Sequence, residues 1–133
     1  RHYYTRWASM TLEVIGADMV ELIPELAAFV PPAQVVDKGI YSPWLGSDLH
    51  RRLRGRRCDT LVVSGGETDM CVLATVLGAA DLGYRTILVR DAICSASDEA
   101  HDAMLDLFGT RYDQQVEIAS VEELEPLWRR GRS

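Results

Sequence analysis

The chain is almost without lysine. Thirteen of its fourteen basic side chains are arginine, and the single lysine is Lys38. A general preference for arginine accounts for the excess but not for the exception. Lysine carries a compact charge whose protonation is readily tuned, so Lys38 is a candidate for chemistry. Cysteine is also scarce. Cys58, Cys71 and Cys94 are odd in number, widely spaced and without a Cys-x-x-Cys pair, which argues against a disulfide framework or a structural zinc site and favours a reducing cytoplasm. No apolar run is long enough for a transmembrane helix, and no secretory signal pattern is present. The net charge of −6 is a poor match for nucleic acid or an anionic membrane. "SGGETDM" is not a G-x-G-x-x-G turn and no P-loop occurs, so nucleotide binding is disfavoured. There is no internal repeat and no low-complexity linker.

What is present suits one domain: 133 residues, 47% hydrophobic and 26% charged, as in ordinary globular chains. The first residue is Arg1 rather than Met, which reads as a processed or incomplete chain. Residues 1–17 have no clean period and read as irregular. "ADMVELIPELAAFV" has helical apolar spacing interrupted by Pro24, so one or two short turns are expected, closed by Pro31 and Pro32. From there the pattern is regular. "AQVVDKG" reads as a strand ending at Lys38, "SDLHRRLRG" as a helix with Ser47 as cap, and "DTLVVSG" as a buried strand. "DMCVLATVLGAADLGY" is a helix capped by Thr68 or Asp69. A strand "RTILVRDA", a helix capped by Ser97 or Ser95, a strand "QVEIAS" and a helix "VEELEPLWRR" follow, and "RRGRS" reads as a frayed tail. Strands alternating with helices imply βαβ units, a mostly parallel sheet and helices on both faces.

In such sheets ligands bind beyond the carboxyl ends of the strands. Lys38, the "GGETDMC" turn and Asp91 are expected to converge on that edge. With Thr68 or Asp69 as cap, Cys71 falls in the first helical turn, where the dipole and free N–H groups favour a thiolate. A neighbouring ammonium favours it further. Glycines let the backbone turn sharply and approach a substrate, and N–H groups of the turn can hold an oxyanion. The residues alone leave two readings open, a nucleophile partnered by Lys38 or a small buried hydrophobe. Cys58 and Cys94 read as filler, and "RRLRGRR" as a solvated helix end.

Two motifs in order resemble the isochorismatase-like cysteine hydrolase superfamily. The first is Lys-x-x-x-Ser-x-aromatic, "KGIYSPW", with Lys38, Ser42 and Trp44. The second is Gly-x-x-Thr-Asp-x-Cys-Val, running from Gly65 to Val72, and the "DA" of Asp91 and Ala92 is a weaker third. The resemblance implies a three-layer α/β/α, doubly wound, Rossmann-like fold and an Asp-Lys-Cys triad with Cys71 as nucleophile and Lys38 supporting the thiolate. It implies a cis peptide between Gly66 and Glu67, an oxyanion hole from the Glu67 and Cys71 amides, and a loop held by Thr68 and Asp69. Gly66 stands where the family usually has Val or Ile, and Trp44 where Phe is usual, with Pro43 before it. The triad aspartate lies in the family at the end of a first strand that this chain lacks, and none of Asp18, Asp37 or Asp48 fits its position. The expectation is therefore a single hydrolase domain, 1–133, that is N-terminally incomplete.

Further expectations follow from that resemblance. The activity is hydrolysis of a small molecule's C–N bond, amide or ureido, through a Cys71 thioester, with no cofactor. No metal is expected, since His2, His50 and His101 lack the family's metal-ligand spacing. His101 reads as a helix-surface residue, and His2 is a weaker candidate for the pocket. Ser42, Trp44, Tyr41 and Trp7 are the candidate substrate contacts, and the aromatics among them, with Tyr3 and Tyr4, serve equally as core or subunit contacts. A homodimer or homotetramer in the cytoplasm is implied. The alternatives are an enol-ether hydrolase of isochorismatase type, which usually lacks the cysteine, an inactive interaction domain of the same fold, and a redox-reactive thiol protein, for which no resolving cysteine lies near in sequence.

Overall fold

The computed structural model describes residues 2–130. Of the expected frayed tail at 129–133, residues 129 and 130 are helical rather than frayed, and residues 131–133 lie outside the described residues, as do the side chains of Tyr3 and Tyr4. The chain divides into two compact units, residues 1–35 and 36–133.

The first unit is a string of short turns: α1 (His2–Arg6), a 3₁₀ turn at Ala8–Met10, α2 (Leu12–Ile15), a second 3₁₀ turn at Ala17–Val20 and α3 (Pro24–Ala27). It is more helical than its irregular pattern implies. Pro24 does not interrupt a helix. It stands in the first turn of α3, where its missing N–H costs no hydrogen bond. Gly16, at φ 84°, separates α2 from the turn that follows. The Val30–Pro31 and Pro31–Pro32 peptides are both cis.

The second unit holds α4 (Leu49–Gly55), β1 (Thr60–Gly66), a π-helical turn (Thr68–Val72), α5 (Leu73–Asp81), β2 (Arg85–Cys94), α6 (Asp98–Thr110), β3 (Val116–Ala119) and α7 (Val121–Arg130). The strands form a parallel sheet in the order β1-β2-β3. The strand expected to end at Lys38 is not formed, and residues 34–38 carry no regular structure. Two adjacent valines followed by Asp37 give no alternating face to bury, and the described ladder of β1 runs to β2 alone.

Alternation along the strands divides the side chains between two faces. Val63, Leu88 and Val116 point to one face, where Val76 of α5 and Phe108 of α6 close the core. Val62, Ile87 and Val89 point to the other, opposite Leu124 and Trp128 of α7. The result is the expected three-layer α/β arrangement. Helix α6 is capped by Ser97, whose side chain accepts from the Ala100 N–H at 3.2 Å. Helix α7 opens with a reciprocal capping box: the Ser120 N–H donates to Glu123 at 2.7 Å and the Glu123 N–H donates to the Ser120 hydroxyl at 3.2 Å. The Ser120 N–H bond above all holds the Glu123 carboxyl below its usual range. No described helix is long and apolar enough to cross a membrane.

The register of β1 on β2 changes near its end. Val63 pairs with Leu88, but Gly65 pairs with Ile93 and Gly66 with Cys94. The intervening residues of β2 bulge outward, and Asp91 turns to α7, where its carboxylate accepts from the Val121 N–H at 2.9 Å. Asp91 therefore caps a helix rather than joining Lys38 and the glycine turn. Strand β2 also runs on past Ala92 to Cys94, and that extension sets the surroundings of the glycine turn.

Two substitutions test this core. Phe108 is 0% exposed, so Phe108→Ala is expected to cost about 3–5 kcal/mol in urea unfolding. Thr86 is also fully buried, and its hydroxyl has no hydrogen-bond partner among the described residues. Thr86→Val removes that unpaired group and is expected to raise stability by about 1 kcal/mol. A loss on Thr86→Val would show that the hydroxyl is satisfied in solution.

Candidate active site

Gly65 lies at φ 114°, a conformation that only glycine adopts without strain. It stands one residue before the end of β1, where the chain turns towards the helix. The next peptide, Gly66–Glu67, is cis. The chain then enters the π-helical turn, in which the Val72 N–H donates to the Glu67 carbonyl at 3.0 Å and the Met70 N–H to the same carbonyl at 3.1 Å. Cys71 sits half-buried in this turn, at the amino end of the continuous helical stretch that includes α5.

Lys38 reaches the thiol. Its Nζ lies 3.2 Å from Cys71 Sγ and donates to the Ile40 carbonyl at 3.1 Å. Although no strand carries the lysine, the carbonyl two residues onward fixes the ammonium at the sulfur. Of the residues picked out from the sequence, Lys38 and Cys71 are therefore brought together across 33 positions of chain. Among the described residues Lys38 makes no ion pair with a carboxylate.

The loop ahead of Cys71 is held from the side. Neither Thr68 nor Asp69 caps the helix: the cap position is Glu67 and no side chain bonds to it. Thr68, 0% exposed, hydrogen-bonds through its hydroxyl to His101 Nδ1 at 2.9 Å. Asp69 accepts a short hydrogen bond from the Ser95 hydroxyl. Gly66 lies against Cys94 in the ladder. Three contacts thus fasten residues 66–69 to the segment that leads from β2 into α6. His101 is half-buried beneath the loop, not on the outer face of α6. Its partner is 33 residues away in sequence, so local pattern carries no sign of it. The one available signal was its place in the first turns of a helix that follows a strand end.

The expected substrate contacts fall in different places. Trp44 packs on α5 one turn and more beyond Cys71. Its indole N–H donates to the Thr75 carbonyl at 2.9 Å, and its ring stacks on Tyr84 with centroids 5.6 Å apart. A Cβ on Gly78 would lie 2.2 Å from this indole, so the glycine makes room for the larger aromatic. Tyr84 is buried, burial pushes its phenol upward, and its hydroxyl bonds to His50 Nδ1 at 2.9 Å. Ser42 accepts from the Trp44 N–H at 3.3 Å and shapes the turn. Ser42 and Trp44 line a cavity of about 360 Å³ with His50, Gly78 and Asp81, and neither Cys71 nor Lys38 is part of its wall. Tyr41 is 45% exposed. Trp7 belongs to the first unit, where the Arg6 guanidinium lies 5.7 Å over its ring. Among the described residues no group of three or more His, Cys, Asp or Glu side chains is placed to hold a metal ion. Cys58 is half-buried and its thiol donates to the Thr60 carbonyl at 3.2 Å, whereas Cys94 is exposed rather than filling the core.

Comparison with known proteins places these features in context. The model of the isochorismatase domain matches residues 2–123. An uncharacterized isochorismatase family protein of Bacillus subtilis, YwoC, is 37% identical over 67% of this chain and 47% of its own length. The maleamate amidohydrolase of Pseudomonas putida is 33% identical over 74% of this chain and 49% of its own. Among solved structures, a pyrazinamidase/nicotinamidase from Streptococcus mutans superposes with a TM-score of 0.58 at 41% identity, covering 62% of this chain and 45% of that one. The chain spans about half the length of the curated relatives it matches.

The buried Thr68–His101 pair is directly testable. His101→Ala strands the Thr68 hydroxyl and is expected to cost about 1–3 kcal/mol. Thr68→Val combined with His101→Ala is expected to cost less than the sum of the single changes, with a coupling of about 0.5–3 kcal/mol in urea unfolding. Simple additivity would show that the two side chains do not support one another.

Proposed function

This chain belongs to the isochorismatase family, and from that premise we propose that it is a cysteine hydrolase that cleaves the C–N bond of a small amide or ureido substrate. The observation that carries the reading is the 3.2 Å approach of Lys38 Nζ to Cys71 Sγ. A half-buried thiol with an ammonium on it, at the start of a helix, suits nucleophilic attack far better than packing. The amide-cleaving relatives, a maleamate amidohydrolase and a pyrazinamidase/nicotinamidase, favour amide over enol ether, as does a cysteine at this position.

In the proposed cycle the thiol gives its proton to a carboxylate and the thiolate attacks the substrate carbonyl. The Glu67 and Cys71 amides hold the oxyanion. The same carboxylic acid then protonates the departing nitrogen, ammonia or an amine leaves, and water hydrolyses the thioester. No carboxylate pairs with Lys38 among the described residues. The proposal gives the role of general base to an aspartate, as the family resemblance implies. Lys38, in contact with the sulfur, orients it and that acid. Small-molecule turnover in the cytoplasm by a homo-oligomer is part of the same reading.

Ammonia release over a panel of amides and ureido acids tests it. Cys71→Ala is expected to lower turnover at least about 1000-fold, and Lys38→Ala about 100-fold. Iodoacetamide near neutral pH is expected to label Cys71 ahead of Cys58, and Lys38→Ala to slow that labelling. Full turnover by Cys71→Ala would end the proposal.

A further inference from the structure

The loop that leads to Cys71 is built around an empty place. Gly66 has no side chain, although its φ is not in the left-handed region and its backbone accepts any residue. The atom that a side chain there would crowd is the Cys94 sulfur. A Cβ on Gly66 would lie 3.3 Å from Cys94 Sγ and 3.5 Å from the Cys94 carbonyl oxygen. The first distance is tighter than an ordinary contact, so the neighbour has to give way. The two residues are paired across β1 and β2, and Cys94 lies in the same segment that holds Asp69 through Ser95 and Thr68 through His101.

We propose that Cys94 is a positioning residue for the candidate oxyanion loop: its side chain occupies the space that a side chain at residue 66 would fill, and so sets where the Glu67 amide stands beside Cys71. Gly65 is required by its φ, whereas at Gly66 the constraint is the neighbouring sulfur. The pair is complementary, and neither member tolerates change alone as well as both together. Cys94 itself forms no bond to substrate. Its action runs through Gly66 to the Glu67 N–H. The inference rests on the hydrolase reading for its consequence in catalysis, but not for the packing that it describes.

A double-mutant cycle on the full chain separates the two. Gly66→Ala is expected to lower kcat about tenfold with KM within about twofold, since a displaced donor is felt in the transition state and not in ground-state binding. Cys94→Ala alone, which removes the sulfur from beside Gly66 and leaves the other contacts of the loop in place, is expected to lower kcat about threefold. Gly66→Ala with Cys94→Ala is expected to recover to within about threefold of wild type, because the methyl at 66 takes up the space the sulfur leaves. The ¹⁵N–¹H resonances of the Glu67 and Cys71 amides supply a readout that needs no turnover. Both are expected to shift in Gly66→Ala and to return in the double variant. Single effects that multiply, or resonances that Gly66→Ala leaves in place, would overturn the inference. Absence of ammonia release from wild type would instead count against the hydrolase reading, and the amide resonances would still decide the role of Cys94.

Discussion

The candidate site depends on one piece of strand pairing, the late register of β1 on β2. Had β2 kept its initial register, the residues opposite Gly65 and Gly66 would have been those just after Leu88. Instead the outward bulge brings Ile93 and Cys94 into line, and with them Ser95. The glycine turn is thereby laid along the start of the connection to α6. Everything that holds the loop follows from that alignment: Gly66 on Cys94, Asp69 on Ser95, and Thr68 over His101. The loop does not rely on side-chain capping of its own helix, which has none. It is fixed by a neighbouring strand end, and a strand end in a packed sheet is a stiffer support than a helix cap.

Stiffness matters because of where Cys71 lies. A π-helical turn is wider than an α-helical one and is often found at functional sites. Here it carries the thiol, and the Thr75 hydroxyl one turn on donates to the Cys71 carbonyl at 2.6 Å. Thr75 in turn gives its own carbonyl to the Trp44 indole. Trp44 is thus linked to the turn of Cys71 through one residue, and it is locked by Tyr84 and by the cleft that Gly78 leaves open. In this chain the tryptophan packs on the framework of the turn that holds Cys71.

The sheet and its helices were legible because their signals are local. Continuous apolar runs marked β1 and β2, and Ser97 marked the start of α6 by the bond a serine makes to the N–H three residues on. Pairing Lys38 with Cys71 was legible from chemistry and resemblance together. The misread parts have a common cause. Thr68 and Asp69 look like caps because such residues at the head of an apolar helix usually are caps; here partners far along the chain win both side chains. Asp91 looked like part of the site because it ends an apolar run, but a bulge turned it to α7. Lys38 looked like a strand terminus, yet its segment finds no ladder. Contacts between residues dozens of positions apart leave no period in the sequence.

The choice of lysine at residue 38 becomes intelligible from this geometry. A single nitrogen meets both the Ile40 carbonyl and the Cys71 sulfur, at 3.1 and 3.2 Å. A compact ammonium can point separate protons at two acceptors in different directions. A guanidinium is planar and larger, and its parallel donors suit a carboxylate or phosphate. It would have to spread over the carbonyl and the sulfur together. In a chain whose other basic side chains are all arginine, the exception falls where one nitrogen meets both a carbonyl and a thiol.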